Sequence, residues 1–325
     1  MPYRKIGPFL QKNYTKVSVY NAPMVKLVDP SVADIQTTRE SCGPNTLIVV
    51  RFFYKYQPLS DPREEAYEWC ARVAPYLTVG LDHNVVFEGY NEIGEHDTEK
   101  FAIYEQIRQD FLHKYGYGGV YGNHGVGNLN NDNARPYESL INSFSVNDFF
   151  GWHSYWGTQN TVLNPWHTAR WTVVDMLKDV PGLITECGCD YVVDVNIPRQ
   201  DWGARGWKLG GISVEQYLQE IEMFAEMIDF YPNIGGASLF LVGPSETKWD
   251  NYQSEYAYQK IKVTQTDPYF YRDEVVEPLP PVIPEPPEDV IDALLTEIST
   301  SLTSIQGDIG RVEDMVDVLR NQIYD

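Results

Sequence analysis

The 325-residue chain has no long hydrophobic run. No stretch approaches the roughly 18 apolar residues that a membrane-spanning helix needs, and the opening segment "MPYRKIGPFLQKNY" lacks the apolar core of a secretion signal. The expectation is a protein that inserts in no membrane and is either cytoplasmic or released without a classical signal, by lysis or on a virus particle. Basic charge is scarce as well: 25 Lys and Arg against 46 Asp and Glu give a formal net charge of −21. So acidic a surface disfavours nucleic acid and anionic membranes, whose phosphates demand cations. Cysteine is sparse and unpatterned. Cys42, Cys70, Cys187 and Cys189 suggest no disulfide framework, and Cys187-Gly188-Cys189 lacks the second pair or closely spaced histidines of a zinc site. Neither a metal nor a cofactor is expected.

What is present is apolar and aromatic residue in quantity, 43% and 14% of the chain, enough for one large core. Short apolar runs alternate with amphipathic stretches over the first 245 residues. Eight runs read as strands: 5–11, 24–29, 46–54, 84–92, 118–124, 148–155, 182–188 and 236–242. Between them lie helix-like segments such as 61–77, with Asp61 as N-cap before Pro62. Segment 97–116 starts at Asp97 and ends in Gly116, and 213–231 carries Ser213 and Gln216 at capping-box spacing. Eight strands, each followed by a connection long enough for a helix, predict parallel pairing closed into a (β/α)₈ barrel over residues 1–272. An open doubly wound sheet is the competing topology. It would carry a Gly-rich phosphate turn after its first strand, and there is none.

From 273 to 288 proline dominates ("EPLPPVIPEPPE"), which favours extended polyproline II and a semi-rigid linker. Residues 289–325 then place Ile291, Leu295, Ile298, Leu302, Ile305, Ile309, Val312, Val316, Leu319 and Ile323 at alternating steps of four and three. That is a heptad seam, which predicts a coiled coil over 289–323. Isoleucine at the d positions Ile291, Ile298 and Ile305 disfavours a parallel dimer and points to a homotrimer.

In a (β/α)₈ barrel the residues that finish the strands face the ligand. Glu92, in "VVFEGYNEIG", finishes the fourth predicted strand, and Glu186, in "LITECG", lies near the end of the seventh. Strands four and seven are on opposite sides of the mouth, so two carboxylates there can face each other across a bound molecule. Such a pair suits glycosidic hydrolysis, one group protonating the leaving oxygen while the other attacks or activates water. Glu88, four residues before Glu92 on the same face, lies deeper and reads as a carboxylate paired inside the barrel, with Arg51 as its candidate partner.

Asn91-Glu92 on strand four, Glu186 on strand seven and His153-Ser154-Tyr155 on strand six together resemble the retaining clan-A glycoside hydrolases, among them cellulases, mannanases, xylanases and β-galactosidases. The resemblance implies Glu92 as acid/base, Glu186 as nucleophile, and Tyr155 as a hydrogen-bond donor to that nucleophile. It implies a β-linked poly- or oligosaccharide as substrate, cleaved by double displacement. Arg51, late in strand three, is a cation that would keep Glu186 ionised, and His153 and His124 end their strands at the same mouth. Trp156, Trp202 and Trp249 are candidate platforms for sugar rings. The chain departs from the clan in having no tryptophan at the end of strand eight, "SLFLVGPS". The rival class is a catalytically inactive glycan-binding or structural protein, displayed as an oligomer by the same coiled coil.

Sedimentation tests the oligomer. The full chain is expected to run as a trimer at micromolar concentration and a chain ending at Glu277 as a monomer; a monomeric full chain refutes the heptad reading.

Overall fold

The computed structural model describes residues 3–11, 14, 18–157, 161–190, 206–243 and 247–264. The predicted linker and coiled coil lie outside these residues. Eight parallel strands form a closed barrel in chain order: β1 (Ile6–Leu10), β2 (Met24–Val28), β3 (Leu47–Arg51), β4 (Val85–Glu88), β5 (Gly118–His124), β6 (Phe149–Trp156), β7 (Gly182–Cys189) and β8 (Ile234–Leu239). β1 closes the ring by pairing with β2 on one side and β8 on the other. The (β/α)₈ expectation therefore holds and the open sheet does not.

Helices α1 (Val32–Ser41), α2 (Pro62–Leu77), α3 (Thr98–Lys114), α4 (Glu138–Asn142), α5 (Gly206–Leu209), α6 (Val214–Asp229) and α7 (Glu255–Thr264) fall in the connections. Their starts follow local chemistry. Asp61 accepts from the backbone N–H groups of Arg63 and Glu64 at the head of α2, and Ser31 and Asp34 make a reciprocal capping box on α1. Two expectations fail in detail. Asp97 makes no side-chain cap on α3, and at α6 only Ser213 caps, because the Gln216 side chain bonds Glu220 instead. The β6–β7 connection contains short 3₁₀ turns at Arg170–Thr172 and Asp175–Leu177.

Alternation along the strands sorts the core into two shells. Val25, Leu27, Ile48, Val50 and Phe87 face the helices, within one extended cluster. Met24, Leu47, Val49, Val86, Val120, Phe149 and Leu183 fill the barrel interior. Toward the strand ends the inward positions change character: above Met24 stands Lys26, above Val49 stands Arg51, and above Val86 stands Glu88. Among the described residues no helix is long and apolar enough to cross a membrane. All four cysteines are buried and unbridged.

Strands three and four are shorter than the sequence suggests. β4 stops at Glu88 because the next residue, Gly89, passes the buried Arg108 guanidinium, where a Cβ would collide, and Arg108 donates to the Phe87 carbonyl at 3.0 Å. Glu92 is thus four residues beyond the sheet. A second close approach occurs at Gly7, where a Cβ would collide with the Met24 carbonyl. Gly7→Ala is expected to force β1 from β2 and to cost about 3 kcal/mol, read as a lower urea midpoint at unchanged slope; an unmoved midpoint contradicts the packing.

Candidate active site

Glu186 reaches the barrel interior by an irregularity. Leu183 faces inward, so simple alternation would turn residue 186 outward. The β6–β7 register runs Trp152↔Ile184 and then His153↔Glu186, leaving Thr185 as an extra residue in β7. That bulge re-aims the strand, as bulges beside active sites do. Glu186 then sits inside with its side chain 8% exposed.

Its two oxygens have different neighbours. Oε1 accepts from Arg51 Nη1 at 2.7 Å and Lys26 Nζ at 3.2 Å. Oε2 accepts from the Tyr155 hydroxyl at 2.9 Å and lies 3.7 Å from His153 Nδ1. Burial alone would push the carboxyl pKa up. The charges of His153 when protonated, Lys26 and Arg51, with the Tyr155 hydrogen bond, outweigh it and hold Glu186 well below the usual carboxylate range. Burial, reinforced by Glu186 and Glu92, keeps the Tyr155 phenol protonated and a donor.

Glu92 approaches from the other side. Its backbone is left-handed (φ 53°), its N–H donates to the Asn123 carbonyl at 2.9 Å, and its side chain is 44% exposed. Glu92 Oε1 lies 3.0 Å from His153 Nδ1. An oxygen of Glu92, an oxygen of Glu186 and a ring nitrogen of His153 all fall within 4.8 Å of one another. These three groups could converge on a metal ion. Lys26 and Arg51 already bond Glu186, however, and a divalent cation would stand beside two fixed positive charges, so the donor set fits an ion-paired carboxylate better than a ligand sphere.

The remaining candidates divide. Asn91 accepts from Arg51 Nη1 at 2.7 Å through Oδ1, which ties it to the cluster. His124 touches neither glutamate: it is buried, with Nδ1 at 2.9 Å from the Ile93 carbonyl and Nε2 at 2.7 Å from the Tyr137 hydroxyl. Burial pushes its pKa down to about 4, which leaves a neutral anchor for the loop that carries Glu92. Trp156 is corrected outright. With His153 and Tyr155 facing in, Trp156 must face out, and it is fully buried against α6, donating to Glu220 at 2.8 Å. Trp249 packs edge-on against Phe240 and Tyr252, in the cluster that Tyr155 joins. Trp202 lies outside the described residues. The pairing of Glu88 is also corrected: its partner is Lys26 at 2.8 Å, and Arg51 goes to Glu186.

Two residues were missed. Lys26 sits in "MVKLV", which reads as an ordinary buried strand; its one signal is a charge at an inward position. Gln57 clamps Asn91 at both backbone groups, its amide donating to the Asn91 carbonyl at 3.0 Å and accepting from the Asn91 N–H at 2.5 Å. Nothing in its loop sequence marks it.

No protein-family model and no curated protein sequence matches the chain. Among solved structures it aligns with the catalytic domain of a mannanase from Streptomyces sp. SirexAA-E, at 15% identity and a TM-score of 0.45, over 76% of this chain and 78% of that one.

A carboxyl held low in the folded state contributes stability that is fully present above the unfolded pKa, about 4.3, and is lost progressively as pH falls below that value toward the depressed folded pKa. Between pH 6 and pH 3 the wild-type melting temperature is therefore expected to fall more steeply than that of Glu186→Gln, although the variant starts lower because Arg51 loses its carboxylate partner and Lys26 keeps only Glu88. Parallel slopes would detach Glu186 from the ion pairs.

Proposed function

We propose that the barrel is a retaining glycoside hydrolase acting on a β-linked poly- or oligosaccharide, with Glu186 as nucleophile and Glu92 as acid/base. The observation that carries this reading is the approach of the two carboxylates within 4.8 Å from opposite sides of the mouth, in contrasting environments. Retaining enzymes hold their carboxyl groups about 5–5.5 Å apart, whereas inverting enzymes need about 6.5–9.5 Å to admit a water. An oxygen of one carboxylate within 4.8 Å of an oxygen of the other supports the shorter class.

The environments suit the two roles. Glu186 is buried and bonded by Lys26, Arg51 and Tyr155, so it is an anion ready to attack. Glu92 is half exposed, and among the described side chains its partner is His153, so it can exchange protons with solvent and with a leaving group. In the first step Glu186 Oε2 bonds to the anomeric carbon. The glycosidic bond breaks, its electron pair goes to the departing oxygen, and that oxygen takes a proton from Glu92. In the second, Glu92 removes a proton from water, whose oxygen displaces Glu186 from the same carbon. His153, beside both carboxylates, and the phenol of Tyr155 fix the geometry between the steps. Trp249 and its aromatic neighbours form an apolar wall on which a sugar face can stack. The heptad segment would assemble three such barrels on one stalk, so that a surface-bound glycan meets several sites at once.

A panel of aryl β-glycosides and β-linked polysaccharides tests the activity. Glu186→Gln is expected to abolish turnover while preserving the fold. Glu92→Ala should lose at least about 100-fold on substrates whose leaving group needs a proton, lose much less on activated aryl glycosides, and recover rate with added azide. Wild-type turnover by Glu186→Gln sinks the assignment, and a wild-type protein that binds glycans without cleaving them establishes the binding-protein class instead.

A further inference from the structure

Beneath Glu186 lies an ion pair for which the two-step reaction has no stated use. Lys26 from β2 and Glu88 from β4 meet at 2.8 Å, both side chains fully buried. Lys26 Nζ also reaches Glu186 Oε1 at 3.2 Å and lies 4.9 Å from the centre of the Phe9 ring. Glu88 is only half satisfied: its Oε2 is buried and has no hydrogen-bond partner among the described residues. Stability does not account for such a pair. Buried ion pairs exchanged for well-packed neutral side chains commonly leave a protein as stable or more so, and an unsatisfied buried carboxylate oxygen adds a further cost.

The pair has a distinct geometric consequence. Oε1 of Glu186 is held from two sides by Arg51 and Lys26, which leaves Oε2 toward Tyr155, His153 and the Glu92 side of the mouth. We propose that Lys26 is a positioning residue for Glu186, pinning Oε1 so that Oε2 is the attacking oxygen, and that Glu88 is the permanent counter-ion that makes this placement tolerable through the reaction cycle. The proposal rests on the reading of Glu186 as nucleophile. Its chemical logic lies in the covalent intermediate. When Glu186 becomes a glycosyl ester it loses its negative charge, and a lysine paired with it alone would be left as a bare ammonium in the barrel interior. Glu88 keeps Lys26 paired in both states. Arg51, nearer the mouth, keeps a hydrogen bond to the neutral Asn91 Oδ1 in both states.

The charged and titratable groups that face Glu186 are Lys26 from β2, Arg51 from β3, Glu88 and Glu92 from β4 and its loop, His153 and Tyr155 from β6, and Cys187 on its own strand. Replacing Lys26 alone would strand Glu88, so the test uses the full chain with both charges removed, Lys26→Met with Glu88→Gln. Carboxyl ¹³C titration, with the Glu186 signal assigned by its loss in Glu186→Gln, reads the site without requiring activity. Wild-type Glu186 is expected to stay ionised throughout the folded range. In the double variant its midpoint should rise by about one to three pH units, and turnover of an aryl β-glycoside should fall at least 10-fold in kcat with KM changed less than threefold. Lys26→Arg, which keeps the charge, should leave the titration near wild type. An unmoved Glu186 titration in a folded double variant overturns the proposal. If the double variant does not fold, Lys26→Gln with Glu88→Gln offers an amide pair for the same titration, and failure of both to fold makes the pair a requirement of the barrel and likewise overturns it. A shifted titration in a protein with no glycosidase activity upholds the hold of Lys26 on Glu186 and sinks the hydrolase reading alone.

Discussion

A carboxylate cannot stand inside a barrel unless cations and hydrogen bonds replace the water it has lost, and the polar layer of this barrel is arranged around that requirement. Sheet register supplies the arrangement. Val28 pairs with Arg51 and Arg51 with Glu88, so two neighbouring strands, β3 and β4, end with inward charges at one height, and the inward charge of β2, Lys26, lies one inward step below Val28. β6 and β7 then bring His153, Tyr155 and Glu186 to the same level from across the ring. Shift any of these strands by one residue and its charged side chain turns toward the helices, into an apolar shell. The apolar layer of Met24, Leu47, Val49, Val86, Val120, Phe149 and Leu183 is therefore more than a plug. It fixes the register on which the charge balance depends.

Much of this order was legible because barrel strands speak through composition. A buried parallel strand favours β-branched and aromatic residues, and strands such as β3 and β4 carry a run of them, with Asp61 marking the start of α2. The carboxylates stood out for the same reason: against "VVF" or "LIT" a glutamate is costly and demands an explanation. The signal failed where two-residue alternation fails. Glu186 faces inward through a bulge at Thr185 that no composition announces. Glu92 was read as the end of a strand that stops at Glu88, because the run of side chains carries no sign of where Gly89 must pass Arg108. Trp156 is the opposite case. Alternation from Tyr155 alone would have turned it away from the mouth, and reading it by residue type overrode the geometry that strand position supplied.

Pairing was the least legible layer. Arg51 was assigned to Glu88 by height, and that height is correct, since the two are register neighbours. What decided the matter was Lys26. Its flexible stem runs up from one inward step below and places the ammonium between Glu88 and Glu186, leaving the planar Arg51 guanidinium free to span Glu186 and Asn91. Lysine suits the first position because it is a point charge with three donors, and arginine suits the second because its Nη1 alone carries two N–H groups and donates to both acceptors at once. Sequence distance conceals both choices, which join residues 40 to 160 positions apart.

The two facing glutamates also differ in how they are built, and the difference matches the labour proposed for each. Glu186 is fixed by the sheet: its strand is hydrogen-bonded on both sides and its carboxylate is gripped at both oxygens. Glu92 is fixed by a loop that would otherwise be free, and the loop is held in three places. Gln57 brackets Asn91, Asn123 takes the Glu92 N–H, and His124 holds the Ile93 carbonyl. Consecutive residues tethered from β5 and from the loop after β3 leave little room for the left-handed turn at Glu92 to relax, although a non-glycine residue there carries a conformational cost. What remains open is the side chain itself, with His153 on one flank and solvent on the other. A group that gives up a proton and then recovers one from water needs that freedom of the side chain together with a backbone that does not move. A group that must attack one carbon along one line needs no such freedom, and it is the one buried in the sheet and held at both oxygens.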